Sequence, residues 1–330
     1  MGIVFSGVKP TADVPHLGNY IGAFRHWVAL QDSNDCLFCV VDLHTMTLPW
    51  DTALLRKRTL QLAASLIACG IDPDRSILFV QSDVPLHTEL TWYLTCTARM
   101  GELGRMTQFK DKSQGKEDAS IGVGLFMYPV LMAADVLAYK GTHVPIGDDQ
   151  KQHLELMRDL AERFNRQFGD TFPLPEPVIS KQGARIMALD DPTRKMDKSD
   201  NRPNNLIWMT DPADVVRKKI ARAVTDSDGR IAYGAENPAI SNLLDIYAAV
   251  TDGDPTLIAN DFSGKGYAEL KSGLANAVVA FLEPFQTRFS ELVSDEAYLD
   301  KILNDGAERA SEIARRTLSE VRTKVGIRKP

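Results

Sequence analysis

Disulfide bonding is the first thing this sequence lacks the material for. Four cysteines in 330 residues, Cys36, Cys39, Cys69 and Cys96, are too few and too scattered to staple a fold, and they fit a reducing compartment. Cys36 and Cys39 form a C-x-x-C, but it lies inside the strand-like run DCLFCVVD with no second pair at ligand spacing. Buried thiols, not a zinc site, are expected, and no structural metal. Apolar stretches approaching the ~20 residues of a membrane-spanning helix are missing too. The opening MGIVFSGVKP has no basic region, long apolar core or small-residue cleavage site, which predicts a cytoplasmic protein with no membrane partner. Its apolar residues read as a buried strand rather than a lipidation signal. Positive charge is not in excess: 38 Lys and Arg against 44 Asp and Glu leave a net charge of −6, so any nucleic-acid contact must come from local basic stripes. Two such stripes stand in RKKIAR (Arg217, Lys218, Lys219, Arg222) and in the tail (Arg315, Arg316, Arg322, Lys324, Arg328, Lys329).

What is present is the composition of a globular chain, 44% hydrophobic and 25% charged. GIVFSGV, CLFCVVD and SILFVQS are short apolar runs of the kind buried on both faces of a parallel sheet. Between them lie helical patterns. One, from about Gly18 to Gln31, repeats Tyr20, Ile21, Phe24, Trp27 and Val28; the next starts after Asp51 as N-cap and stops at Gly70; a third follows Pro85. Strand and helix in alternation predict an α/β fold with a doubly wound, Rossmann-like parallel sheet that binds ligands beyond its strand ends. Residues 1–204 form this part, with an irregular insertion over about 101–186 that contains the basic loop RMTQFKDKSQGK; residues 205–330 read as a second, all-α domain.

Three stretches carry chemistry. PHLGNY, Pro15 to Tyr20, stands where the first strand turns into a helix N-terminus, a place that favours an anion. Gly18 lets a ligand approach the backbone, and His16 and Asn19 can donate to phosphate oxygens. TRKMDKSD gathers Arg194, Lys195 and Lys198 around Asp197 on one short segment. In MYPVLMAADVLAY a single carboxylate, Asp135, is embedded among apolar residues and needs a donor; Tyr128, Met132 and Asp135 share one helix face. An apolar slot ending in one acceptor suits an indole, a flat apolar body with a single N–H.

HLGN after the first strand together with KMDKS resembles the paired HIGH and KMSKS signatures of class I aminoacyl-tRNA synthetases. FSGVKP, VDLHTMT, GELGRMTQFKDKS, YPVLMAAD, VPIGDDQKQH, GARIM, KKIARAVTDS and ISNLLDIY are similar to stretches of the bacterial tryptophanyl branch, over nearly the whole chain. The resemblance implies activation of tryptophan by ATP and transfer to tRNA(Trp), with Mg²⁺ bound to the ATP. It assigns Asp135 to the indole nitrogen, Phe5, Gly7, Met132, Val144 and Ile146 to the pocket, and Tyr128, Gln150, His44 and Gln108 to the substrate head group. It assigns Lys9, His16, Gly18, Asn19, Gly147, Asp149, Ile186, Lys195, Met196, Lys198 and Ser199 to ATP, with Lys112, Lys195 and Lys198 as catalytic cations. It further implies a homodimer and an anticodon-binding helical domain whose last helix packs back on the catalytic domain. Asp197 departs from the signature serine, and Lys9 stands where bacterial relatives commonly have glutamine. A small nucleotidyltransferase is the rival among enzymes, and a catalytically silent paralogue that binds tryptophan or RNA as a regulator is the rival outside them.

Overall fold

The computed structural model describes residues 2–11, 14–47, 49–115, 121–147, 150–179, 186–197, 202, 204–227 and 229–328. Five strands, β1 (Ile3–Val8), β2 (Asp35–Val40), β3 (Ile77–Val80), β4 (His143–Pro145) and β5 (Glu176–Val178), form a parallel sheet in the order β3-β2-β1-β4-β5. The register sets Phe5 beside Leu37 and Leu37 beside Ile77. Successive side chains point to opposite faces, and both faces are covered: Val4 and Phe5 are buried, as are Phe38 and Cys39. Hence the first strands read as unbroken apolar runs instead of alternating ones. The chain lays β1, β2 and β3 outward, then returns to place β4 on the other side of β1. At such a reversal the flanking connections diverge and leave a crevice beyond the carboxyl ends of the strands.

The helical spacing after β1 is realised as α1 (Leu17–Asn19), a π-helical turn over Tyr20–Phe24 and α2 (Arg25–Leu30). A 3₁₀ turn, Leu43–Thr47, precedes α3 (Thr52–Ala68), whose first turn is capped by the Asp51 carboxylate accepting from Ala53 N–H at 2.8 Å. Gly70, at φ +110°, ends it. After β3 come a 3₁₀ turn, Gln81–Asp83, then α4 (Leu86–Thr97), α5 (Met100–Leu103), α6 (Thr107–Ser113) and α7 (Val123–Leu137); α8 (Lys151–Phe168) follows β4. The segment 101–186 departs from the expected insertion in two ways. Its basic loop winds into α6, and it supplies β4 and β5 to the main sheet. Strands of three residues are too short to show a period, and β5 carries Pro177.

A two-stranded antiparallel hairpin, β6 (Met187–Ala188) and β7 (Asp191–Lys195), leads into α9 (Ala213–Arg222), α10 (Pro238–Thr251), α11 (Pro255–Asp261), α12 (Tyr267–Ser294) and α13 (Glu296–Lys324). TRKMDKSD therefore leaves a hairpin, not a strand of the main sheet. The sequence reading does not single out α12, whose pattern is interrupted by Pro284. Two apolar clusters lie on the two sheet faces. One joins Val4, Phe38 and Val40 to α3 and to α9, α10 and α12; the other joins Phe5, Leu37 and Phe79 to α4, α7 and α8. α13 belongs to both, with Leu299 and Leu303 in the first and Ala307, Ala310, Ala314, Leu318 and Val321 in the second. It crosses the sheet at edge strand β3. Gly306 sits at the crossing, where a Cβ would lie 1.9 Å from the Leu78 carbonyl oxygen.

Candidate active site

A cavity of about 440 Å³ opens at the point where the strand order reverses. Residues Phe5 to Lys9 from the carboxyl end of β1 form one wall, and Val144 to Gly147 from β4 form another. Tyr128, Met132 and Asp135 of α7 enter from one helix face, as their spacing requires. The ten residues expected to hold an amino acid, Phe5, Gly7, His44, Gln108, Tyr128, Met132, Asp135, Val144, Ile146 and Gln150, all line this cavity. Lys9 and Gly147, expected at ATP, line it too. A smaller cavity shares Gly7, Val8 and Lys9 and reaches Asn19.

Asp135 is 3% exposed. The donors it needs are neither an arginine nor backbone groups. His44 Nε2 donates to Oδ2 at 2.8 Å, while Gln81 Nε2 and His87 Nδ1 both reach Oδ1 at 2.7 Å. Burial pushes the carboxyl pKa up, but the bonds and charge of His44 and His87 outweigh that and hold it below the usual carboxylate range. His44 Nδ1 is buried with no partner, and Ser6 Oγ, also in the cavity wall, is likewise unpartnered. His87 Nε2 is bonded in turn to the Tyr139 hydroxyl at 2.8 Å.

Further along the same helix face, edge-on to the His44 ring at 6.3 Å, Tyr128 is a second centre. Its hydroxyl donates to Gln108 Oε1 at 3.2 Å and accepts from His153 Nε2 at 2.8 Å, and burial pushes its pKa up to about 12, so it stays neutral. Two lysines face its ring, Lys9 Nζ at 5.4 Å and Lys112 Nζ at 5.3 Å from the centroid. Lys112 also donates to Gln108 Oε1 at 3.1 Å. Two cations distant in sequence thus converge beside the cavity.

The HLGN turn and the KMDKS segment meet in space. A Cβ at Gly18 would lie 3.3 Å from Met196 Sδ and 3.1 Å from the His16 ring. Met196 is buried and its N–H donates to Ile186 O at 3.0 Å. His16 is buried rather than on a surface turn, edge-on to Trp208 at 6.1 Å, and its N–H donates to Asn19 Oδ1 at 3.1 Å. Leu17 N–H and Met209 N–H donate across to Ile207 O and Pro15 O. The hairpin is anchored from the helical part: Asn242 of α10 accepts from Met187 N–H at 2.8 Å and donates to Met187 O at 3.0 Å. Arg194, Lys195 and Asp197 are exposed. Lys198, Ser199 and Asp149 lie outside the described residues.

Sequence reasoning misses Gln81, His87, Tyr139, His153 and Asn242. Gln81 had a signal, since it directly follows the carboxyl end of β3; the others become partners only across the fold. The basic stripes, conversely, are partly internal. Lys219 is buried on Asp211 at 2.6 Å, Lys218 pairs with Asp214, and Arg217 donates to Asn276. In the tail Arg322 grips Glu89 and Lys324 grips Glu320. Of these only Lys219 is buried and Arg322 and Lys324 half-buried; Arg217, Lys218, Arg222, Arg315, Arg316 and Arg328 remain exposed, and Lys329 lies outside the described residues.

Comparison with known proteins gives a consistent result. The family profile "tRNA synthetases class I (W and Y)" matches residues 2–283. The chain is 52% identical over 325 residues to the tryptophan–tRNA ligase of Caldanaerobacter subterraneus subsp. tengcongensis, covering 98% of each chain, and 50% identical over 324 residues to that of Wolinella succinogenes, again covering 98% of each. Among solved structures it is similar to the tryptophanyl-tRNA synthetase of Mycoplasma pneumoniae, with a TM-score of 0.87 and 35% identity over 99% of this chain and 98% of that one. It is also similar to the Campylobacter jejuni enzyme complexed with ADP and tryptophan, with a TM-score of 0.85 and 32% identity over 98% of this chain and 100% of that one.

Proposed function

The chain belongs to the tryptophanyl-tRNA synthetases of class I, and from that membership we infer how its residues carry the reaction. Its activity is ATP-dependent ligation of tryptophan to tRNA(Trp). The observation that carries the residue-level reading is the ionised, buried Asp135 at the end of an apolar slot. A carboxylate has about four acceptor directions, and Oδ1 takes two donors while Oδ2 takes one. One direction on Oδ2 is left for a substrate N–H, which indole supplies and a phenyl ring does not. Phe5, Met132, Val144 and Ile146 would enclose the indole. The ammonium and carboxylate would then reach the polar side, where His44 Nδ1 stands unpartnered and Gln108, Tyr128 and Gln150 line the wall.

The tryptophan carboxylate is already an anion, so its attack on the α-phosphate requires no base. The reaction forms a carboxylate–phosphorus bond, breaks the bond to the bridging oxygen and releases pyrophosphate. Catalysis is then positioning plus positive charge directed at the leaving group. Lys112 beside the cavity, and Lys195 and Lys198 from the segment that meets the HLGN turn, would supply that charge. Lys9 would contribute from the carboxyl end of β1, with Gly18, Asn19 and Gly147 receiving the nucleotide. Mg²⁺ would arrive on ATP, held by phosphate oxygens and water, and reduce the charge on the triphosphate.

In the second step a terminal ribose hydroxyl of tRNA would attack the carbonyl carbon of tryptophanyl-adenylate, forming the ester as the acyl–phosphate bond breaks and AMP leaves with the hydroxyl proton released, and residues 205–330 would bind the anticodon arm. A homodimer is supported by Trp92, Met100 and Val123, which are 67%, 76% and 75% exposed on the neighbouring helices α4, α5 and α7. The test of the reading is ATP formation from labelled pyrophosphate with each of the twenty amino acids in turn. Exchange with tryptophan alone is expected; no exchange at all would favour a silent paralogue.

A further inference from the structure

Two of the three donors on Asp135 come from one stretch of chain, Gln81 just after β3 and His87 in the first turn of α4. The chain on both sides of that stretch is held by α13, at Pro73, Ser76 and Leu78 before it and at Glu89 after it. Gly306 lies against the Leu78 backbone, and Arg309 Nη1 donates to Pro73 O at 2.9 Å and to Ser76 O at 3.2 Å. Two residues past His87 in α4, Glu89 receives Arg322 in a two-bond fork, Nε to Oε1 and Nη2 to Oε2, both at 2.6 Å, with Tyr93 donating to Oε1. The end of α7, which carries Asp135 and leads into Tyr139, is held by the same helix: Lys140 Nζ pairs with Glu320 Oε2 at 2.7 Å. Glu320 and Arg322 thus tie down, from one short piece of α13, the two helices whose side chains meet at the carboxylate.

We propose that α13, through Arg322 and Glu320, is a positioning element for tryptophan recognition: it sets α4 against α7 so that Gln81 and His87 occupy Oδ1 and leave Oδ2 to the substrate. The physical reason is geometric. Hydrogen bonds to Asp135 are short and directional, so a small shift of α4 relative to α7 moves His87 and rotates the carboxylate. Arg322 touches no substrate; it acts through Glu89, α4 and His87. The proposal rests on the reading of Asp135 as the indole acceptor.

Steady-state pyrophosphate exchange with tryptophan, ATP and phenylalanine varied separately tests it in Arg322→Ala, Arg322→Lys and Lys140→Ala, with Asp135→Asn as control. Arg322→Ala is expected to raise KM for tryptophan about three- to tenfold, the size coupling through packed elements has, and to lower the preference for tryptophan over phenylalanine, with KM for ATP unchanged. Arg322→Lys keeps the charge but not the fork and should fall between. The exchange Glu89→Arg with Arg322→Glu should restore tryptophan KM towards that of the parent. A lower melting temperature in Arg322→Ala and Lys140→Ala with unaltered tryptophan KM and preference would overturn the proposal and leave a merely structural clamp. If Asp135→Asn itself keeps its preference for tryptophan, the reading of Asp135 fails, and the role of α13 with it; loss in Asp135→Asn but not in Arg322→Ala overturns the α13 role alone.

Discussion

Asp135 is legible in the sequence as a lone acid among apolar residues, and its demand for donors follows from the cost of burying charge. Which donors answer is not legible, because Gln81 and His87 reach it only through the packing of α4 on α7. The depressed carboxyl makes a prediction with a definite sign. A group whose pKa is lower folded than unfolded contributes its stability fully above the ordinary value of about 3.9 and loses it as acid protonates the native state. In urea titrations at pH 6, 4 and 3, Asp135→Asn is expected to be less stable than the parent at pH 6, with the gap narrowing from about pH 4 downward; a gap that widens in acid would reverse the assignment. The cysteines give a second residue-scale test. Cys36, Cys39 and Cys69 are buried and their thiols are pushed up by burial, Cys36 to about 11, whereas Cys96 is exposed. A disulfide reagent at pH 8 should titrate one thiol rapidly in the native protein and four after unfolding, and replacing Cys96 with serine should remove the rapid one.

At the scale of elements, helices with a cap, a period and a stop signal are read correctly, as Asp51 and Gly70 show for α3. Short pieces are not: β4 and β5 have three residues each, and α6 reads as a basic loop because its lysines and polar residues present no apolar stripe. TRKMDKSD is similarly half visible, its charges obvious and its hairpin hidden, since the pairing of β6 with β7 depends on residues outside the motif. Among the elements α13 makes the strictest demand. Its Gly306 touches backbone, which cannot move aside as a flexible side chain can, so Gly306→Ala must push the helix off β3. A loss of about 1–3 kcal/mol or more is expected in urea unfolding, although alanine is the better helix former. Stabilisation by this substitution would mean that the helix and strand do not meet as described.

For the whole molecule, alternation of strand and helix followed by helices alone is enough to read a doubly wound sheet and an all-α remainder. What composition cannot convey is that the two parts share a core, because α9, α10 and α12 pack in the same cluster as Val4, Phe38 and Val40. The expected behaviour is therefore a single cooperative unfolding rather than two. All four tryptophans, Trp27, Trp50, Trp92 and Trp208, lie in the first 210 residues, so their fluorescence follows the sheet and the loops around it, while far-ultraviolet dichroism is dominated by the helices. The two probes should trace one urea transition, and a fragment of residues 205–330 should lack it; a separate, independent transition in that fragment would show two folding units.

The crossing of α13 over β3 also has a consequence in time. Ribosomes add roughly 5–20 residues per second, so between the emergence of β3 at Ile77–Val80 and that of α13 at Glu296–Lys324 the nascent chain waits on the order of ten to forty seconds. Throughout that interval the edge strand has its ladder groups open and no helix over them, the arrangement most apt to pair with a strand of another chain. Slow stretches of message after the codons for β3 would lengthen the exposure, and a chaperone that shields strand edges would be needed most during synthesis and least once the last helix has closed.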